Sequence, residues 1–425
     1  VATTAAVAGC GEEDRWSPAP EPLHRAAALT AQPVPDLPRT GPGPDLGSID
    51  RPALFDAGDG RLGVTGSGRY AAIVRTWTTD GRTWRAVGDA TGPLVRAARA
   101  ADGRLCGSRS DDVPLCVSAD GRTVRTLDRP PAHPDHPDPA DGRDRTERRR
   151  WAQTIAVGDD VFALVEDRTR RTGYLVRVDG RRQVPVGDAV VGDLGVVLAP
   201  REDRAPCVVG AAWADEDAGD ARPARLRLTV ACPGARTRRV DAPLTVPSGA
   251  DDAGHGVRVA RRLVDAVVVG RTVVAGISNA WETGVAADRR DAGATWTVVA
   301  GAGRRLRPVA VGGSVGDGRV GGDLHVADGR VWALRRATTR SPATRTGRID
   351  LLRIDPRSGS VDGRATLVDD GPIQSGSRSA GVVVAAGDRV WVAAQAAGAP
   401  APADGSSRAT TGRIGWRLWA LSRGR

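Results

Sequence analysis

The 425-residue chain contains no methionine, no lysine and one asparagine, Asn279. All 61 of its basic residues are therefore arginines, set against 51 acidic ones for a net charge of +10. A coding bias that replaces lysine by arginine accounts for this. A balance this basic raises nucleic-acid binding, yet the arginines are scattered among aspartates, and the densest cluster, Arg143 to Arg150, holds Asp144 and Glu147. Exposed aromatics interleaved with basic side chains, which single-strand binders use for stacking, are missing, so no nucleic-acid partner is expected. Tyrosine and phenylalanine number two each, whereas there are 11 tryptophans. No uncharged apolar run reaches the ~18 residues of a bilayer-spanning helix. No stretch sustains an apolar period of about 3.6 residues, which excludes amphipathic helices as the framework. Apolar residues still make up 40% of the chain, enough for a sizeable core.

What is present is punctuation. The 54 glycines and 29 prolines fall at regular intervals between short β-rich runs, so they mark turns in an all-β chain. One pattern recurs: apolar strand, D-G-type turn, apolar strand. Its clearest copies are Leu324 to Arg336 (L-H-V-A-D-G-R-V-W-A-L-R-R) and Val383 to Gln395 (V-V-A-A-G-D-R-V-W-V-A-A-Q). Weaker copies lie at Leu54 to Thr65, Ala97 to Ser108, Thr154 to Glu166 and Val264 to Ser278, and the stretch from Leu194 to Trp213 fills the remaining gap. The turns step by about 55 residues on average, near the upper end for propeller blades. Seven units of four strands predict a seven-bladed β-propeller over residues 48–425, with six or eight blades as the neighbouring solutions. The last unit ends after its third strand, so the segment before Ser48 is the candidate to close the ring.

The turns between third and fourth strands carry a family resemblance. R-R-D-A-G-A-T-W, Arg289 to Trp296, resembles the D-x-G-x-T-W core of the Asp-box, the bacterial neuraminidase repeat. T-T-D-G-R-T-W, Thr78 to Trp84, and S-A-D-G-R-T-V, Ser118 to Val124, resemble shorter versions. Asp80, Asp120 and Asp291 suit an Asx-type turn, Gly81, Gly121 and Gly293 suit positive φ, and Trp84 and Trp296 are read as packing between blades. The resemblance implies a sialidase-like propeller fold rather than a reaction. D-R-P-A-L-F, Asp50 to Phe55, is similar to the segment that supplies a substrate-carboxylate arginine in sialidases. Such enzymes need a tyrosine nucleophile in the late blades, and Tyr70 and Tyr174 both fall in the first half. The reading therefore leans away from catalysis and names no catalytic residue.

Cys10 closes V-A-G-C, which resembles a bacterial lipobox, although the nine residues before it lack a charged region and a full apolar core. Residues 1–10 are read as a shortened leader ending in a lipidated cysteine. Residues 11–47 are read as a disordered, proline-rich tether that can contribute the closing strand. Export, with the chain secreted or held at the outer face of the membrane by its lipid, is the expectation. The remaining cysteines form two close pairs, Cys106 with Cys116 and Cys207 with Cys232, each flanking a hairpin tip, so two disulfides are expected in an oxidising compartment.

Other motifs carry less. G-G-S-V-G, Gly312 to Gly316, lacks the helix a nucleophile elbow needs. The glycine patterns at Gly58 to Gly63 and Gly316 to Gly321 open no helix that would hold a phosphate. His133 and His136, in P-A-H-P-D-H-P-D, are read as part of a disordered insert rather than a metal site, and no metal or cofactor is expected. The loops between second and third strands and between blades converge on a central funnel. There S-N-A-W-E-T-G places Asn279, Trp281 and Glu282 in an expected loop, Ser278 to Ala286, with Asp251, Asp252, His255 and Arg69 as candidate neighbours. An exposed tryptophan beside amide and carboxylate groups suits sugar stacking and hydroxyl recognition. The expected function is a non-catalytic, monomeric binder of a glycan or an envelope protein. A sialidase-like glycosidase and a scaffold for an envelope assembly are the alternatives.

Overall fold

The computed structural model describes residues 26–34, 39–40, 53–67, 73–80, 83–91, 95–99, 105–108, 114–117, 124–126, 130–135, 149–157, 160–179, 182–202, 204–213, 225–243, 258–283, 291–302, 307–315, 323–338, 346–358, 360–372, 381–397 and 414–422. Strands dominate because runs rich in valine, threonine and tryptophan fit a pleated surface. The runs end where aspartate and glycine supply left-handed backbone: φ is 51° at Asp59 and 57° at Asp328, and 73° and 63° at the glycines that follow, Gly60 and Gly329.

The strands assemble into seven sheets whose members stand in chain order. Sheet one holds Ala53–Asp56, Leu62–Ser67, Ile73–Thr79 and Trp84–Thr91. Sheet two holds Val95–Arg99, Leu105–Ser108, Pro114–Val117 and Val124–Thr126. Sheet three runs through Arg149–Val157, Asp160–Asp167, Thr172–Asp179 and Arg182–Val191. Sheet four runs through Gly195–Arg201, Arg204–Trp213, Arg225–Ala231 and Arg238–Pro243. Sheet five consists of Arg258–Val269, Thr272–Thr283, Asp291–Ala302 and Arg307–Val315. Sheet six consists of Asp323–Ala327, Arg330–Thr338, Thr346–Ile354 and Val361–Pro372, and sheet seven of Gly381–Ala386, Arg389–Ala397 and Ile414–Ser422.

The first strand of every sheet lies beside the first strand of the next, and that of sheet seven returns to that of sheet one. The inner strands thus close a ring, and the molecule is an all-β propeller. Its core lies between sheets rather than within them. Sheet four packs Val209, Leu228 and Val240 against Leu263, Val268 and Ile277 of sheet five. Sheet five packs Val267 and Val274 against Val331 and Leu352 of sheet six. Sheet seven packs Trp391 and Trp416 against Leu62, Val64 and Trp84 of sheet one. Sheets four to seven are therefore apolar on both faces, which explains strands that read as continuous apolar runs rather than as alternation.

The two clearest sequence repeats make the same structural device. The indole N–H of Trp332 donates to the carbonyl of Ala327 (3.1 Å), and that of Trp391 to Ala386 (3.3 Å). A second device recurs on the inner strands. The Asp265 carboxylate accepts the Leu324 N–H at 2.9 Å, and Asp323 accepts that of Gly381 at 2.8 Å, linking sheets five to six and six to seven.

The N-terminal segment straps the seam. Ala27–Ala28 runs parallel to the outer strand of sheet six, Gln32–Pro33 lies antiparallel to Trp419–Ala420 as the fourth strand of sheet seven, and Arg39–Thr40 runs parallel to Trp84–Arg85 of sheet one. Leu29 lies over Gly363, where an added Cβ would meet its side chain at 2.9 Å.

Three expectations need correction. The stretch from Arg289 to Trp296 is not a turn between third and fourth strands, because Asp291–Ala302 is itself the third strand of sheet five and pairs on both edges. Asp291 and Gly293 are strand residues, and the T-W-T-V-V run that follows extends the strand backward through them. Ser278 to Ala286 is not a loop up to Thr283, since Thr272–Thr283 is one strand. The insert expected to be disordered is placed at residues 130–135, where it docks on sheet three.

Candidate functional site

Antiparallel order puts the connections on two rims. First-to-second and third-to-fourth turns share one, here the turn rim. Second-to-third and sheet-to-sheet connections share the other, the loop rim. Of the candidates read from the sequence, Asn279, Trp281 and Glu282 stand opposite Arg261, Val259 and Arg258 on one side and Thr295, Gly293 and Ala292 on the other. All three stand on the second strand of sheet five, towards its loop-rim end. Their side chains, together with Asp251, Asp252, His255 and Arg69, lie outside the described residues, as do Cys10, Gly81, Asp120, Gly121 and the Trp296 side chain. Cys207 and Cys232 are joined by a disulfide in the core between sheets four and five. Cys106 and Cys116 stand directly opposite each other in register. Asp80 accepts the Thr83 N–H at 3.2 Å in the turn before the buried Trp84.

A cleft of about 580 Å³ lies on the turn rim, between sheets six and seven. The strap builds its outer wall with Leu29, Thr30 and Gln32, and the first turn of sheet six contributes Asp328, Arg330 and Trp332. Arg353, Val390 and Ser422 complete it. Sequence reasoning missed this site because its wall comes from residues almost 400 positions away in the chain. The repeat did place its turn at 328.

The charges of the cleft are held by one another. The Arg353 Nε donates to Asp362 at 2.6 Å, and the Arg330 guanidinium lies 3.4 Å from Asp355 and 3.6 Å from Asp362. Asp355 also accepts from the N–H groups of Arg357 and Ser358 and the Ser358 hydroxyl. Slight burial pushes its carboxyl upward, but the Ser358 hydroxyl, those two N–H groups and the Arg330 charge outweigh it and hold Asp355 below the usual carboxylate range. The cleft thus offers two guanidiniums held by carboxylates beside it, the Asp328 carboxylate, an amide and two hydroxyls. Such groups can donate and accept hydrogen bonds to hydroxyls or amides.

Two further polar sites are structural. Asp350 is wholly buried and accepts hydrogen bonds from Arg335, Arg348, Arg364 and Thr366. His133, 4% exposed, lies between Gly187 and Tyr174: its Nε2 is 3.1 Å from the Gly187 carbonyl, and Nδ1 accepts the Asp135 N–H. Tyr174 donates to the Pro131 carbonyl at 2.5 Å. These contacts fix the insert on sheet three.

No family model and no curated protein sequence matches the chain. Among solved structures, it is similar to the WD40 repeats of RRP9 at 13% identity and a TM-score of 0.41, covering 93% of this chain and 100% of that one. It is similar to the phage phi92 endosialidase at 10% identity and a TM-score of 0.39, over 94% of this chain and 70% of that one. It is also similar to BamB from Moraxella catarrhalis at 10% identity and a TM-score of 0.34, over 88% and 83% of the two chains.

Proposed function

We propose that the protein is an exported, non-catalytic propeller that binds a glycan or the glycan-bearing surface of an envelope partner, held to the membrane through Cys10. The observation that carries the binding reading is the cleft between sheets six and seven, whose amide, hydroxyls and mutually paired ions suit a neutral polyhydroxyl chain. The Cys207–Cys232 disulfide supports export, because such bonds persist in oxidising compartments. Two carboxyls, Asp350 and Asp355, are held low and thus ionised at neutral pH. They serve as hydrogen-bond acceptors rather than as proton donors.

The test is a broad glycan array probed with the full chain carrying Cys10→Ser, followed by titration of any sugar found. Arg353→Ala and Gln32→Ala are expected to weaken binding by about 10-fold each, the loss of a hydrogen bond from a fixed edge. Trp281→Ala separates the rims. A loss confined to Trp281→Ala moves the site to the loop rim, and a blank array with folded protein removes the glycan reading.

A further inference from the structure

Several arginines on the described surface hold a carboxylate. Arg150 pairs with Glu166, Arg227 with Asp241, and Arg353 with Asp362. Four others gather on the turn rim with no ion pair among the described residues. Arg201 and Arg204 are directly paired residues at the end of the first hairpin of sheet four. Arg238 opens the fourth strand of that sheet, and its guanidinium donates to the carbonyl of Arg271, in the first turn of sheet five, at 2.8 Å. Among the described residues none of the four is ion-paired. Of the two acids between Arg201 and Arg204, Glu202 accepts the Gly329 N–H at 2.8 Å, and Asp203 lies outside the described residues.

The cluster is held, not splayed. Arg201 and Arg238 are half-buried at the mouth of the gap between sheets four and five. The turn leading into Arg238 begins at Cys232, which is tied to Cys207, and the Ala235 N–H closes on the Cys232 carbonyl at 3.1 Å. Burial, then the charges of Arg204 and Arg238, push the Arg201 guanidinium below its ordinary value, and burial and Arg271 do the same at Arg238. Like charges brought together without a counter-ion store a repulsion that a bound anion relieves. One carboxylate satisfies one guanidinium bidentately. A phosphate, with three acceptor oxygens and up to two charges, spans several.

We propose that Arg201, Arg204, Arg238 and Arg271 form an anion site for a phosphate-bearing ligand, either a free phosphate or a phosphorylated head group. The site is separate from the cleft and does not depend on the glycan reading.

The experiment uses the full chain with Cys10→Ser. Pyrophosphate is titrated at constant ionic strength, with thermal unfolding alongside. Sedimentation with phosphatidylcholine vesicles, with and without phosphatidylglycerol, forms the second arm. Arg204→Gln/Arg271→Gln, at two exposed positions, is expected to bind at least ~10-fold more weakly. It is also expected to unfold no earlier than the parent when no anion is present, because a repulsion has been removed. A merely structural cluster would lower that midpoint. Arg417→Gln, at an exposed position on the third strand of sheet seven, is expected to bind like the parent. Binding of pyrophosphate assigns a free phosphate. Binding only to anionic vesicles, lost in the double variant, assigns a head group. Equal binding by parent and double variant, no response in either arm, or binding of an oligonucleotide alone would overturn the proposal.

Discussion

Asp350 has no exposed surface, yet it is charged, and the residues around it explain how. Burial alone pushes its carboxyl upward, but the Arg348 hydrogen bond, the charge and hydrogen bond of Arg335, and the Thr366 hydroxyl outweigh it and hold it below the usual range. Arg364 adds a further contact at 3.2 Å. Removing the charge leaves three guanidiniums crowded without their anion. Asp350→Asn is expected to cost about 3–5 kcal/mol near neutral pH, measured by chemical denaturation. The sign of the pH dependence follows from the lowered value. Asp350 contributes stability above its unfolded pKa of about 4 and loses it as pH falls through its folded value. The difference between parent and variant should therefore be full at neutral pH and shrink under acid. A constant difference down to the lowest pH would mean that the charge is not what stabilises the folded state. The sequence named none of these residues as a group, because 335, 350 and 366 become neighbours only through strand register.

At the scale of elements, the Cys207–Cys232 bond spans 25 residues and joins the second strand of sheet four to the turn after the third. Closing a loop of that length restricts the unfolded chain by about 3.5 kcal/mol on the chain-entropy estimate. The Cys207→Ser/Cys232→Ser protein should be less stable by about that free energy, with a denaturant dependence equal to or steeper than the parent's, because its unfolded chain is less confined. The pairing was legible from spacing, since two strand-like runs flanked one tip. The strand of sheet five was not legible in full. Its A-G-A-T-W segment carries the residues of a turn motif, and pairing with both neighbours drew it into the ladder instead.

The ring as a whole depends on its seam. Sheet seven takes only three strands from the C-terminal end of the chain, and Gln32–Pro33 fills the fourth place. The same strap adds an edge strand to sheets six and one, and Leu29, Ala31 and Val34 join the cores of the sheets it crosses. Gly387 and Gly60 also meet at this seam, where an added Cβ on Gly387 would lie 2.8 Å from the Gly60 carbonyl oxygen. Removing residues 1–34 should therefore lower stability by about 3–6 kcal/mol, from the lost backbone hydrogen bonds and apolar burial. It should also split a single calorimetric transition into two, with sheets six, seven and one melting first, because an open array of units unfolds from its ends. A synthetic peptide of residues 26–36 should restore the single transition. One unchanged transition without the strap would show that the ring closes on the inner strands alone.

Most of the strands and the turns near 59, 270, 328 and 388 were legible in the sequence, and with them the repeat; the expected turns at 102, 159 and 203 lie outside the described residues. Those follow from local rules: β-branched and aromatic runs extend, and aspartate–glycine pairs reverse the chain. The tertiary structure decided which groups meet. The strap beside sheet seven, the cleft it walls, the buried Asp350 and the four turn-rim arginines each join residues from different strands or sheets. No local pattern encodes such meetings, because they arise only when the inner strands close their ring and bring the turns of separate sheets onto one rim.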